Sequence, residues 1–302
     1  MAKKGRHEGQ WRPDSIYTWK VSGDDTLLAC VEKKLTDHKH NAVKSLLKYG
    51  QIAVNGTPVT QFDTPVRSGD AVSVNFTRPF VVFSHPRIQL VYEDDDIIVV
   101  NKGSGVLSVS TDNVKDNTAY SALRAYLKQK DPRLKLFIVH RLDQGTSGLM
   151  MFAKNEEAKE AMQFNWRNMV LHRNYVAVVE GIVERQEGVV RSYLAENAQH
   201  EVYSTQNPEE GQLAVTRYRV LKKGGGYTLM ELSLDTGRKN QIRVHMKDLG
   251  HPIVGDRKYG AKNSPIRRLA LHASTLHFVH PATRQEMRFE TPVPARFAGL
   301  VK

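Results

Sequence analysis

The chain has 302 residues, with 44 Lys and Arg against 32 Asp and Glu, a formal charge of +12 and a pI near 9.6. That length suits one large domain and a smaller one, and a hydrophobic content of 40% excludes a wholly disordered chain. The lone cysteine excludes an internal disulfide and a cysteine-built zinc site, and no apolar run reaches the roughly 20 residues that a bilayer-crossing helix needs.

So basic a protein usually meets a polyanion, because clustered Lys and Arg displace counterions from phosphates; a merely solvated basic surface is the alternative. Residues 1–15 are polar and basic, with no hydrophobic stretch, and are expected to form a flexible tail rather than a secretory leader. A reducing cytoplasm is the expected compartment and a monomer the expected state.

A small domain is expected over 16–77. Leu27, Leu28, Val31 and Leu35 recur at helical spacing around Cys30, which reads as a small buried hydrophobe. A second helix is predicted at 41–49, with Ala42, Val43, Leu46 and Leu47 on one stripe and Lys44 and Lys48 on the other side. Ile52 to Gly56 reads as a strand entering a tight turn, since Asn-Gly readily takes positive φ. A strand at 71–74 follows the Ser68-Gly69-Asp70 turn. With Lys39, Lys44 and Lys48 exposed, this is an RNA-facing pattern, and a structural cap without RNA contact is the alternative. The segment Lys44 to Gly56 (KSLLKYGQIAVNG) resembles the S-four-type RNA-binding domain, although its helix is less arginine-rich than is usual there.

Residues 78–87 carry Pro79 and Pro86 without periodicity and read as a linker. Over 88–302, strands are predicted at 97–100, 138–139, 149–152, 175–179, 215–221, 228–234 and 288–290, and helices at 118–128, 156–169 and 240–249. So irregular an alternation predicts an α+β domain on a mixed, largely antiparallel β-sheet rather than regular βαβ winding.

The sharpest segment is Val139-His140-Arg141-Leu142-Asp143-Gln144-Gly145-Thr146-Ser147-Gly148-Leu149. Its spacing puts a carboxylate on a polar loop between two buried strands, a usual place for a reactive group. On the residues alone, a turn-shaping role for Asp143 is the readier reading, since Asp is common in turns. The stretch from His140 to Asp143, with Thr146-Ser147-Gly148, resembles the signature of the RluA-type pseudouridine synthases, which isomerise uridine in RNA. Three further segments resemble that family in the same order: residues 92–102 (YEDDDIIVVNK), 174–181 (NYVAVVEG) and 236–245 (TGRKNQIRVH), the last followed by Gly255-Asp256 and Leu271-His272-Ala273. The sequence departs from the family at Gln144-Gly145, often a charged pair, at Gly103, often proline, and at Asn240, usually histidine.

The resemblance implies a pseudouridine-synthase fold, no cofactor and no metal, RNA as partner, and Asp143 as the catalytic aspartate. The chemistry agrees: the base is detached, turned and rejoined without redox change, which requires a group that stabilises the separated sugar and base. Whether that group attacks the sugar or the base stays open. A nucleophilic carboxylate has to be ionised; burial opposes this and a nearby guanidinium favours it, and the resemblance puts Arg243 there. Tyr175 matches the family's active-site tyrosine, as proton shuttle or as stacking ring. Arg141 is implied to fill the place of an extruded uridine, and His140 and Arg238 are expected at the RNA-facing rim.

Asp94-Asp95-Asp96 reads as a solvated turn rather than a metal site, and His38, His40, His277 and His280 lack convincing ligand spacing. Trp11, Trp19 and Trp166 show no pattern that separates stacking from packing. The expected function is therefore RNA pseudouridine synthesis, with large-subunit ribosomal RNA favoured over transfer RNA. A non-catalytic RNA-binding or ribosome-assembly factor is the competing class, and a glycosidase lacks a second well-placed acid.

Overall fold

A computed structural model describes residues 16–110 and 116–302, so the expected tail at 1–15 lies outside the described residues. The chain divides into two compact units, with the break between Val82 and Phe83.

The amino-terminal unit runs β1 (Ile16–Lys20), β2 (Asp25–Thr26), α1 (Leu27–Lys34), α2 (His40–Lys48), β3 (Ile52–Val54), β4 (Thr57–Pro58), β5 (Pro65–Val66) and β6 (Ala71–Asn75). Four strands form an antiparallel sheet in the order β1-β6-β3-β4, and β2 pairs with β5. Leu27, Cys30 and Val31 of α1 and Val43, Leu46 and Leu47 of α2 pack on Ile52, Val72 and Val74 of the sheet. Each such side chain contributes about 1.5–3 kcal/mol relative to exposure. Ala42, expected on this stripe, is exposed, because it lies one residue round the helix from Val43. Lys39, Lys44 and Lys48 are exposed too. Asn55 (φ 50°) and Gly56 (φ 78°) both take positive φ and turn β3 into β4. The Asn55 amide donates to Asp70 Oδ1 (2.9 Å) and accepts from the Ala71 N–H (2.9 Å), tying the hairpin to the next turn.

The carboxy-terminal unit contains β7 (Ile88–Glu93), β8 (Ile97–Lys102), α3 (Ala119–Lys130), β9 (Phe137–Ile138), β10 (Ser147–Ala153), α4 (Glu156–Phe164), α5 (Trp166–Met169) and β11 (Val170–Glu180). It continues with β12 (Glu187–Glu196), β13 (Val202–Thr205), β14 (Gln212–Gly224), β15 (Tyr227–Leu234), α6 (Gln241–Asp248), β16 (Leu271–Val279), β17 (Glu286–Glu290) and α7 (Ala295–Ala298). Its sheet has eleven strands, nine in the order β13-β12-β14-β15-β11-β16-β10-β8-β7, with β17 added on β16 and β9 on β10. The β10–β16 pair is parallel, and the strand pairs flanking it are antiparallel. The unit is therefore α+β on a mixed, mostly antiparallel sheet, as the irregular spacing predicted. Alternate residues of β8 (Ile97, Val99), β10 (Leu149, Met151) and β16 (Leu276, Phe278) form one core face, closed by Met162 of α4 and Met169 of α5. All seven residues of β10 are buried, so the strand that follows the Asp143 loop is held on both faces.

Several elements differ from the sequence reading. The helix expected at 156–169 is broken at Asn165, whose carbonyl accepts from the Asn168 and Met169 N–H groups and starts a new turn. The strand expected at 97–100 is the second arm of a hairpin whose first arm, β7, was not predicted. Strands β12, β13 and β16 were also not predicted: β12 mixes charged residues into a weak alternation, and β16 carries histidines among its apolar residues.

Candidate active site

Asp143 sits on the loop between β9 and β10, held by the chain that follows β8. Ser108 Oγ donates to the Leu142 carbonyl (2.6 Å) and accepts from the Leu142 N–H (3.1 Å). Ser104 Oγ donates to the Gly145 carbonyl (2.7 Å), and the Gly105 N–H to that of Gln144 (2.8 Å). Lys102 is fully buried behind the loop, and its Nζ donates to the carbonyls of Thr146 (2.6 Å) and Val106 (2.8 Å). Burial lowers its pKa to about 8, opposed by the charge of Asp143, so at neutral pH the ammonium form prevails. Gly148 closes the loop at φ 118°, where a Cβ would lie 2.2 Å from the Ala273 carbonyl. Only glycine lets β10 and β16 approach there.

The opposite wall comes from α6. Gln241 anchors its start: its Oε1 accepts from the Arg238 N–H (3.0 Å) and Thr236 Oγ1 (2.8 Å), and its Nε2 donates to the Val215 carbonyl (3.0 Å). Asn240 takes the left-handed conformation (φ 56°), which asparagine tolerates, and its Oδ1 accepts from Arg243 Nη1 (2.9 Å). Arg243 forms a fork on Asp256, with Nε to Oδ2 at 2.7 Å and Nη2 to Oδ1 at 2.8 Å. Its remaining nitrogen, Nη1, reaches Asp143 Oδ2 at 3.4 Å, long for a hydrogen bond but close for opposite charges. Burial opposes the charge on Arg243, but the hydrogen bonds and charge of Asp256, with that of Asp143, raise its pKa further above the usual value. The guanidinium is thus permanently cationic, and its fork is spent on Asp256 rather than on Asp143.

Tyr175 is buried on β11 between β15 and β16, just after a register shift that re-aims the strand. Burial raises the pKa of its phenol, which Arg173 partly offsets and Asp143 reinforces, so the ring is neutral. Asp143, Tyr175 and Arg243 line one pocket of about 70 Å³ together with Arg141, Thr146, Arg238 and Asn240.

The sequence profile described as RNA pseudouridylate synthase matches residues 96–248, a stretch that contains Asp143, Tyr175 and Arg243. The chain belongs to that family. A Bacillus subtilis protein named uncharacterized RNA pseudouridine synthase YlyB is 35% identical over 92% of both chains. The ribosomal large subunit pseudouridine synthase D of Vibrio cholerae is 34% identical over 87% of this chain and 86% of that one. Among solved structures, human RNA pseudouridylate synthase domain containing 4 superposes with a TM-score of 0.57 at 26% identity, covering 70% of this chain and 90% of that one. The protein is an RNA pseudouridine synthase of the RluA type, an isomerase whose partner is RNA.

Around the synthase pocket the remaining expected residues separate. Arg141 is exposed and Arg238 half-buried, with its Nε on the Leu213 carbonyl (3.1 Å). His140, expected at the RNA-facing rim, lines the cavity beside this pocket, and its Nε2 accepts from the Met151 N–H (3.0 Å). Burial, with the charge of Arg173, lowers its pKa to about 3, so it brings no positive charge to phosphate. Lys39, Lys44 and Lys48 belong to the amino-terminal unit.

Sequence reasoning missed Lys102, Ser104, Ser108 and the role of Asp256. Lys102 and Asp256 stand in segments that resemble the family, but nothing local told which groups they would touch. It also missed that Asp94, Asp96 and His280 converge, with possible ligand atoms within 4.8 Å of one another. Their hydrogen bonds are those of a turn: Asp94 Oδ1 accepts the Asp96 and Ile97 N–H groups, and Oδ2 accepts Tyr92 Oη and His280 Nε2. His280 Nδ1 accepts the Ala282 and Thr283 N–H groups, so the ring offers the acids a donor rather than a lone pair.

Proposed function

We propose that Asp143 is the nucleophile, that Arg243 orients it and sets a fixed positive charge beside it, and that the substrate is a specific uridine in large-subunit ribosomal RNA. The observation that carries the catalytic assignment is the 3.4 Å contact between Asp143 and an arginine whose fork is occupied by Asp256. A guanidinium used this way contributes positive charge without sequestering the carboxylate in a bidentate pair. The neutral phenol of Tyr175 supports a role as a wall for the base, which needs no deprotonation.

The pocket, at about 70 Å³, is small against the roughly 300–1,000 Å³ usual for ligand sites. A nucleotide there requires lining side chains to shift on binding. Extruding the uridine costs a few kcal/mol, which Arg141 in the vacated stack helps to offset. The exposed Lys39, Lys44 and Lys48 support docking of an amino-terminal S-four-type domain, over 16–77, on RNA phosphates. Ribosomal RNA is favoured by the names of relatives such as the large-subunit enzyme of Vibrio cholerae, and the cytoplasm is where that substrate would be met.

Two measurements test this reading. Asp143→Ala should abolish pseudouridine formation while RNA affinity falls less than about tenfold, since phosphate contacts dominate affinity; an active variant sinks the assignment. Pseudouridine mapping in total RNA from cells with and without the gene should show one or a few lost sites in large-subunit ribosomal RNA. Losses confined to transfer RNA would overturn the substrate.

A further inference from the structure

Beside the catalytic pocket opens a cavity of about 670 Å³, and the two share Arg141 and Arg238 as common walls. Its size falls within the roughly 300–1,000 Å³ of ordinary ligand sites. Arg141, Arg167, Arg173 and Arg238 line it, and the acid among its lining residues, Asp235, is already held by Arg217 through Nε to Oδ1 (3.1 Å) and Nη2 to Oδ2 (2.9 Å). The lining is thus strongly cationic. Gly237 also lines it, with the Arg173 guanidinium against its Cα.

The cavity also has an unused aromatic face. Trp166 is half-buried and already engaged, with the His140 ring 5.2 Å away on centroids and the Arg173 guanidinium 5.4 Å from its ring. Phe164 is different. It ends α4 at the break before Asn165, lines the cavity and is 82% exposed. A phenyl ring left in water beside a cluster of guanidinium groups matches what unpaired RNA offers: a planar base to stack and a phosphate to neutralise. An acidic peptide would satisfy the arginines but leave the ring uncovered.

We propose that this cavity is a second nucleotide subsite, which receives an unpaired nucleotide next to the target uridine, its base on Phe164 and its phosphate among Arg141, Arg167 and Arg238. The walls shared with the catalytic pocket make the two nucleotides neighbours on one strand. Aromatic stacking accepts any base, so the subsite reads the local lack of pairing rather than sequence. The inference rests on the reading of the Asp143 pocket as the place where the target uridine binds.

The test uses the full chain and a short transcript spanning the uridine identified by mapping. Losing a stacked base corresponds to roughly a 5- to 150-fold loss of affinity. Phe164→Ala should therefore raise KM by about that factor while kcat stays within about twofold, and Phe164→Trp should restore KM. With the wild type, an abasic nucleotide at one position flanking the uridine should raise KM equally, and combining it with Phe164→Ala should add nothing further. An unchanged KM in Phe164→Ala, or losses that add at every flanking position, overturns the subsite while an active wild type leaves the catalytic reading intact. If Asp143→Ala remains active, both fall. Because Phe164 is so exposed, its loss leaves folding unaffected, and an unchanged unfolding midpoint verifies this.

Discussion

Replacing Asp256 by asparagine isolates what the fork on Arg243 does. Asp256 is buried, with 2% of its side chain exposed, and accepts from Arg243 at 2.7 and 2.8 Å. Asparagine keeps the shape and one acceptor oxygen but turns an NH2 toward a guanidinium N–H, so one charge-assisted bond disappears and two donors face each other. A hydrogen bond to a charged group is worth about 1.5–3 kcal/mol, and removing one partner of a buried ion pair costs up to about 3–5 kcal/mol. Arg243 keeps Asn240 Oδ1 at 2.9 Å and the Tyr259 ring at 4.8 Å, so the lower end applies. A loss of about 2–3 kcal/mol in a domain of this size lowers Tm by roughly 4–12 °C. The freed guanidinium should then turn toward Asp143 and tie it down, reducing kcat by about 10- to 100-fold with KM little changed. Differential scanning calorimetry and single-turnover pseudouridine formation measure both effects. A variant whose Tm moves by less than about 1 °C, or whose kcat matches the wild type, refutes the claim that Asp256 sets the arginine's aim.

Lys44→Ala combined with Lys48→Ala should weaken RNA binding and flatten its dependence on log salt by about one unit for each phosphate that is no longer neutralised; an unchanged slope would show that this helix face does not touch RNA. Lys102 should give opposite pH signatures in stability and activity. Its pKa is lowered from 10.5 to about 8, so between those values the unfolded chain binds more protons, and this group's contribution to stability rises with pH there and is flat below 8. Activity should fall over the same range, as the loop carbonyls lose a charged donor. Lys102→Met should remove that alkaline limb and cost roughly 2–4 kcal/mol of stability, and a limb that survives the substitution would assign it elsewhere.

The position of Asp143 was legible because a polar stretch between two apolar runs is local information. The partners of the loop were not, because Lys102, Ser104 and Ser108 act through backbone carbonyls more than thirty residues away, which no periodicity records. Composition and spacing left Asp143 open between reactive group and turn residue, and the family resemblance made the distinction. The fold class followed from the uneven spacing of strands. The break at Asn165 was hidden because residues on both sides keep helical character, and hydrophobicity alone did not tell that Trp166 packs while Phe164 stays in water. The motif marked His140, but nothing local told that its Nε2 would accept from the β10 backbone.

The loop carrying Asp143 is fastened chiefly by its main chain: Leu142 through both its N–H and its carbonyl, and Gln144, Gly145 and Thr146 through their carbonyls. Such fastening is indifferent to side-chain identity wherever there is room. Position 144 is exposed, and its side chain adds one bond, from Nε2 to the Gly105 carbonyl (3.2 Å), whereas a Cβ at 145 would meet Leu269 at 3.2 Å, so that the leucine would have to give a little. Another residue at 144 would therefore leave the carboxylate on the same rail, which makes that exposed position a natural place to retune RNA preference without disturbing the chemistry.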